Sequence, residues 1–286
     1  MAMLLILSCK KEISINIDDK PAILVVNAEL DADSLMRFNL SLTQNITDNG
    51  GVPQVNDAVV EVLSGDSQIL SVLDNQGKGL YSSAWLKPKA GTRYLFRITR
   101  GSGEYWVDEQ MPDSFKADVL DTGRIVFQGK SGFYQFHIRF KDDVLRSNYY
   151  GLRLKRIFEK YSGSDTIVTE EWVNIESIDF ILTENPESKF SKKHLVFRDT
   201  YCNGLNQELR FGAAGLFGRT DQKTLGLVLY TASYSESAYA YYSSVNEHML
   251  FQNDPFSQPT LLRGNVSNAF GAVVGRFTQT YAISFP

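Results

Sequence analysis

Met36-Arg37-Phe38-Asn39-Leu40-Ser41-Leu42 alternates apolar and polar side chains without a break. A β-strand repeats every two residues, so Met36, Phe38, Leu40 and Leu42 share one face and are expected to point into a core. The same period recurs around this stretch. Upstream, residues 23–30 read as an apolar run, which suits a strand covered on both faces. Downstream, Ala58, Val60 and Val62 repeat the pattern, as do Tyr94, Phe96 and Ile98, then Tyr105 and Val107. Asp74-Asn75-Gln76-Gly77-Lys78-Gly79 is a turn ahead of Leu80-Tyr81. Short strands with turn signals about every 8–12 residues predict an immunoglobulin-like or transthyretin-like β-sandwich over residues 21–112. No helical period precedes residue 110.

Met111-Pro112-Asp113 marks the expected boundary with a larger antiparallel β domain over residues 113–286. There Tyr134, Phe136, Ile138 and Phe140 alternate with Gln135, His137 and Arg139. A polar loop at residues 141–148 leads to residues 149–158, where Leu152 and Leu154 oppose Arg153 and Lys155. Two such runs about a polar loop predict an antiparallel hairpin. Further strands are expected at 172–182, 193–197, 225–231, 272–278 and 281–285. One helix is predicted, over residues 235–251, because Ala238, Tyr242, Val245 and Met249 fall on one helical face. Asn253-Asp254-Pro255 would stop it. The fold class is therefore all-β with one helix in the C-terminal region.

With 43% hydrophobic and 12% aromatic residues, the 286-residue chain can fill two cores and is not a disordered one. The 29 Lys and Arg against 33 Asp and Glu are scattered, which leaves no basic footprint for nucleic acid. His137, His194 and His248 lack a second ligand at metal spacing, so no metal site or cofactor is expected. Nucleophile-elbow and P-loop motifs are lacking, and Gly212-Ala213-Ala214-Gly215 has no following Lys to serve a phosphate. No catalytic residue is assigned, and the chain is not expected to be an enzyme. Glu29, Asp31 and Asp33 offer oxygen ligands for calcium, but solvated carboxylates are the plainer reading. Asn45-Ile46-Thr47 and Asn265-Val266-Ser267 match the glycosylation sequon and are read as chance.

Leu5-Ile6-Leu7-Ser8-Cys9, followed by Lys10-Lys11-Glu12, has the shape of a lipoprotein signal: an apolar run, a small residue, then the acylated cysteine. Met1–Ser8 is short and carries no Lys or Arg, as expected of a signal trimmed at its front or given a late start. Residues 1–8 would be absent from the mature protein. Residues 10–20 form a polar stalk that reaches at most roughly 35 Å when extended. With Cys9 acylated, Cys202 has no disulfide partner and reads as a small buried hydrophobe.

The C-terminal region carries Tyr241-Tyr242-Ser243-Ser244-Val245-Asn246-Glu247, then Asn253-Asp254-Pro255-Phe256-Ser257-Gln258-Pro259, then Asn265-Val266-Ser267-Asn268-Ala269-Phe270-Gly271-Ala272. With Pro21-Ala22-Ile23-Leu24-Val25-Val26-Asn27-Ala28 near the other end, this resembles the Bacteroidota lipoproteins grouped as domain of unknown function 4249. Two departures from that pattern are Ala269-Phe270, where Gly is usual, and Asp254 between Asn253 and the Pro-Phe pair. Asn tolerates left-handed backbone and suits turns, and Phe256 and Pro259 can plug the helix end into the sheet, so the signature reads as structural. The resemblance implies an outer-membrane lipoprotein, facing the cell exterior by its Lys10-Lys11-Glu12 tag, that assists a TonB-dependent transporter in nutrient uptake. A surface adhesin-like or structural β module is the alternative, and a hydrolase built from loops the third. The loops at 43–56 and 141–148 are the expected recognition surface.

Expressed with a complete upstream signal, the wild-type chain should fractionate with membranes and the Cys9→Ser variant should not. Identical fractionation would refute acylation at Cys9.

Overall fold

The computed structural model describes residues 21–285 apart from 33, 46–47, 49, 163–164, 180–192, 202, 205, 252–257 and 259. Cys9, the stalk, Cys202 and the Asn253–Ser257 stretch therefore lie outside the described residues. The first eight strands are β1 (Leu24–Asp31), β2 (Arg37–Leu42), β3 (Val59–Ser64), β4 (Ile69–Val72), β5 (Asp74–Gly77), β6 (Leu80–Ser82), β7 (Arg93–Arg100) and β8 (Gly103–Gln110). Then come β9 (Ala117–Phe127), β10 (Lys130–Lys141), β11 (Tyr149–Ser162), β12 (Asp165–Val173), β13 (Glu176–Ser177) and β14 (Leu195–Arg198). β15 (Asn206–Ala213) and β16 (Gln222–Tyr234) precede the helix Glu236–Phe251, and β17 (Val273–Ser284) follows it.

One nine-stranded sheet, β12-β11-β16-β17-β1-β2-β6-β5 with β14 beside β11, runs through the whole molecule. Two four-stranded sheets, β4-β3-β7-β8 and β13-β15-β10-β9, accompany it. Two cores result. Met36, Phe38 and Leu40 meet Val60, Val62, Phe96, Ile98 and Val107 in the first, and Phe38 and Phe96 lie 5.0 Å apart. Phe136, Ile138 and Phe211 meet Leu152, Leu154 and Leu229 in the second. The period-two faces expected of β2, β3, β7 and β10 are thus the faces that are buried. The fold is an all-β sandwich arrangement with, among the described residues, one α-helix, near the C-terminus.

The last strand joins the two parts. β17 runs parallel to β1, with Ala28 opposite Val273 and Asp31 opposite Arg276, and antiparallel to β16 on its other side. The expected strands at 272–278 and 281–285 are this one strand. Residues 265–271 lead into it and bind it to the first sandwich. Asn265 donates to the Val273 carbonyl at 2.7 Å and accepts from the Val273 N–H at 2.9 Å, completing a strand edge with a side chain. Its amide is occupied, which argues against a glycan there. Asn268 is left-handed, at φ 57°, in keeping with the turn read from the sequence.

Three expectations are corrected. β10 and β11 form no hairpin: β10 pairs with β9 and β15, while β11 pairs with β12, β14 and β16. Residues 142–148 instead turn a corner between sheets, and Phe140 meets Tyr150 across the core at 4.9 Å. β1 alternates rather than being covered on both faces, with Leu24, Val26, Ala28 and Leu30 inward and Asn27 and Glu29 outward. The helix buries Ala238, Tyr239, Tyr242 and Asn246, while Met249 is exposed. Ser235 caps it, accepting from the Ala238 N–H at 3.1 Å, a contact worth about 1 kcal/mol.

Gly271 sits at φ 97°, where a Cβ would collide with the Val26 carbonyl oxygen. Gly129, at φ 74°, has open space around it. Gly271→Ala should therefore cost more than about 3 kcal/mol by urea unfolding and Gly129→Ala about 1 kcal/mol. Equal costs would show that the β1–β17 approach is not close packed.

Candidate functional site

The second half of the nine-stranded sheet has an outer face turned away from the core, and its side chains fall in register. One row is Tyr149, Tyr234, Arg276 and Asp31. The next is Gly151, Ala232 and Thr278, and the third is Arg153, Tyr230 and Thr280. The middle row is small and its neighbours are large, so the surface dips between them. A Cβ on Gly151 would run into the Tyr234 ring, which lies across that glycine. The dip is a cavity of about 320 Å³, rimmed by Ala32 and Ser34 from the turn after β1.

Its charged groups are unequal. Arg276 reaches Glu29 and Asp31 at 2.8 Å each. Burial alone would lower its pKa, but the two carboxylates hold it above its ordinary value. Tyr242 of the helix donates to Glu29 at 2.6 Å. Glu29 and Asp31, raised as calcium ligands, are thus turned onto an arginine. Asp33 lies outside the described residues. Arg153 makes no ion pair among the described residues; its guanidinium carbon lies 3.7 Å from the Trp172 ring centre. Its Nε and the Thr278 hydroxyl are buried without a hydrogen-bond partner among the described residues. Trp172 meets Tyr230 edge-on at 5.2 Å, which makes an aromatic wall.

Beneath the helix, His194 shares a 2.7 Å hydrogen bond with the Tyr234 hydroxyl and packs 4.5 Å from the Tyr242 ring. Burial first, then the positive charges of Arg153 and Arg276, hold its pKa down to about 3, so it is neutral. His137 pairs with Glu208 across two strands at 2.8 Å, and His248 is exposed. Sequence reasoning saw Arg153 only as the polar side of an alternating strand. Gly151 and Ala232 carry no meaning until the register aligns them.

Glu109 is a second buried group with a displaced pKa. It joins the first sandwich to the helix and β17, accepting from the Gly275 N–H at 2.7 Å, Ser237 at 2.5 Å and Asn265 at 3.1 Å. Burial pushes its carboxyl up to about 7, against the opposing pull of these donors. The 141–148 loop, expected to recognise a partner, lines a separate cleft of about 300 Å³, and Arg146 pairs with Asp113 there. Val144 and Leu145 stand exposed at its tip. A Cβ on Gly212 would collide with the Tyr134 carbonyl oxygen, so that glycine serves the close β10–β15 approach.

The chain matches the family described as domain of unknown function (DUF4249) over residues 10–280 and belongs to it. No curated protein matches. Among solved structures it is similar to the Enterococcus faecalis MSCRAMM ACE, described as binding its ligands by the collagen Hug model. That likeness is 9% identity over 92% of this chain and 95% of the other, with a TM-score of 0.24, and it carries no argument about function.

Glu109 and His194 have opposite effects on stability. Glu109 is held above its ordinary 4.5, so its contribution is full below about pH 4.5 and lost as pH rises toward 7. His194 is held below 6.5, so its contribution is full above pH 6.5 and lost as pH falls toward 3. Glu109→Gln should remove the first decline, on the order of 3 kcal/mol. Urea unfolding at pH 4, 6 and 8 checks this; a difference from wild type that does not vary with pH would contradict it.

Proposed function

We propose that this member of the family is a lipid-anchored outer-membrane protein that binds rather than transforms, and that it assists a TonB-dependent transporter in nutrient uptake. The observation that carries the reading is the outer-face cavity. Its floor is a sheet whose register is fixed on both sides, and its walls offer a guanidinium, hydroxyls and aromatic rings: groups that recognise a ligand. The buried titratable groups serve other ends. His194 is closed under the helix, and Glu109 is saturated by donors between the two sandwiches.

Acylation at Cys9, facing the cell exterior, would hold the first sandwich within the reach of the stalk. Tethering raises effective concentration at a neighbouring barrel, so a small interface suffices. The exposed Val144 and Leu145, at a corner braced by the Arg146–Asp113 pair, are the side chains we assign to that contact.

Crosslinking in native membranes followed by mild-detergent capture of the chain should recover a large barrel protein. Leu145→Asp should reduce that recovery severalfold while leaving the chain itself in the membrane fraction. Capture of the lipoprotein alone from wild-type membranes would refute the transporter partnership and favour a free-standing surface adhesin.

A further inference from the structure

We propose that the outer-face cavity binds a small organic monoanion through Arg153, with a carboxylate as the recognised group. The inference rests on the reading of this chain as a binding protein and names the ligand class.

Of the two arginines in the cavity wall, Arg276 is matched by Glu29 and Asp31. Arg153 has no carboxylate partner among the described residues, although it is half-buried and stacked on Trp172. Stacking leaves the edge of a guanidinium free while its face is covered, and that edge is the fork that takes a carboxylate. A buried N–H without an acceptor costs free energy until an acceptor arrives, and Arg153 Nε is such a group. The Thr278 hydroxyl in the same wall is a second buried group without a hydrogen-bond partner among the described residues.

Charge also limits the ligand. One unmatched positive charge, with Asp31 in the same wall, fits a monoanion better than a dianionic phosphate. Space limits it further: about 320 Å³ is at the small end of the roughly 300–1,000 Å³ typical of ligand sites. The body of the ligand would lie on the Ala232 methyl between the Tyr230 and Tyr234 rings. A flat or compact apolar body therefore suits the floor better than a long chain.

Calorimetric titration of the intact chain with phenylacetate, indole-3-acetate and galacturonate tests the class. Phenylacetamide is the neutral control and inorganic phosphate the dianionic one. At least one carboxylate should bind saturably, and roughly tenfold tighter than phenylacetamide and phosphate. Arg153→Met, which keeps the stem against Trp172, should weaken it by a similar factor. Ala232→Val, which raises the floor and leaves every charge in place, should weaken it too. If no carboxylate binds tighter than both controls, or if Arg153→Met leaves the affinity unchanged, the proposal is wrong. The titration needs no barrel protein. Carboxylate binding with failed capture would leave this site standing, and capture without carboxylate binding would remove this site alone.

Discussion

The parallel pairing of β17 with β1 is the constraint on which the rest of the molecule depends. It places the last strand beside the first, with Asp31 opposite Arg276. Without it there would be two sandwiches joined at Met111–Phe115, each with its own half-sheet. With it, one sheet serves both cores, and Val273 packs among the residues of the first. Several groups secure the junction: Asn265 holds the Val273 backbone, Glu109 receives the Gly275 N–H, and Gly271 permits close approach to Val26. The helix between β16 and β17 packs on the sheet's outer face, with Ala238, Tyr239 and Tyr242 against Ala232, Tyr234 and Val274.

The site follows from that closure. The helix covers the Tyr234 and Val274 end of the outer face and leaves the Tyr230 and Thr280 end open. The Arg276 charge is set by Glu29 and Asp31 of β1, so the electrostatics of the cavity are settled by a strand from the other end of the chain. Arg153, on β11, is separated from β1 by β16 and β17 and has no carboxylate partner among the described residues. The same two arginines help to hold His194 neutral under the helix.

The strands were legible in the sequence because alternation is local. Met36 to Leu42 and Tyr134 to Phe140 show which side chains go inward whatever the partner strand. Pairing was not legible for the same reason: the period-two pattern of β10 and β11 is identical whether they share a sheet or face each other across a core. The β1–β17 register spans some 240 residues and leaves no local trace. The helix was legible in position but not in its buried side, since that side is made largely of Tyr, Ser and Asn rather than of aliphatic residues. The signature Asn residues were legible as backbone devices; the close approach that Gly271 permits was not. The cavity was not, because an arginine on a polar face looks solvated until Gly151 and Ala232 are aligned beside it.

Native-state hydrogen exchange, resolved to single amides, tests the central claim most directly. The account predicts that the protected amides of β1 and of β17 from Ala28 through Leu30 and Val273 through Arg276 share one opening free energy, equal to that of global unfolding. Exchange of the first sandwich and of β17 through separate openings, each well below the global value, would contradict it.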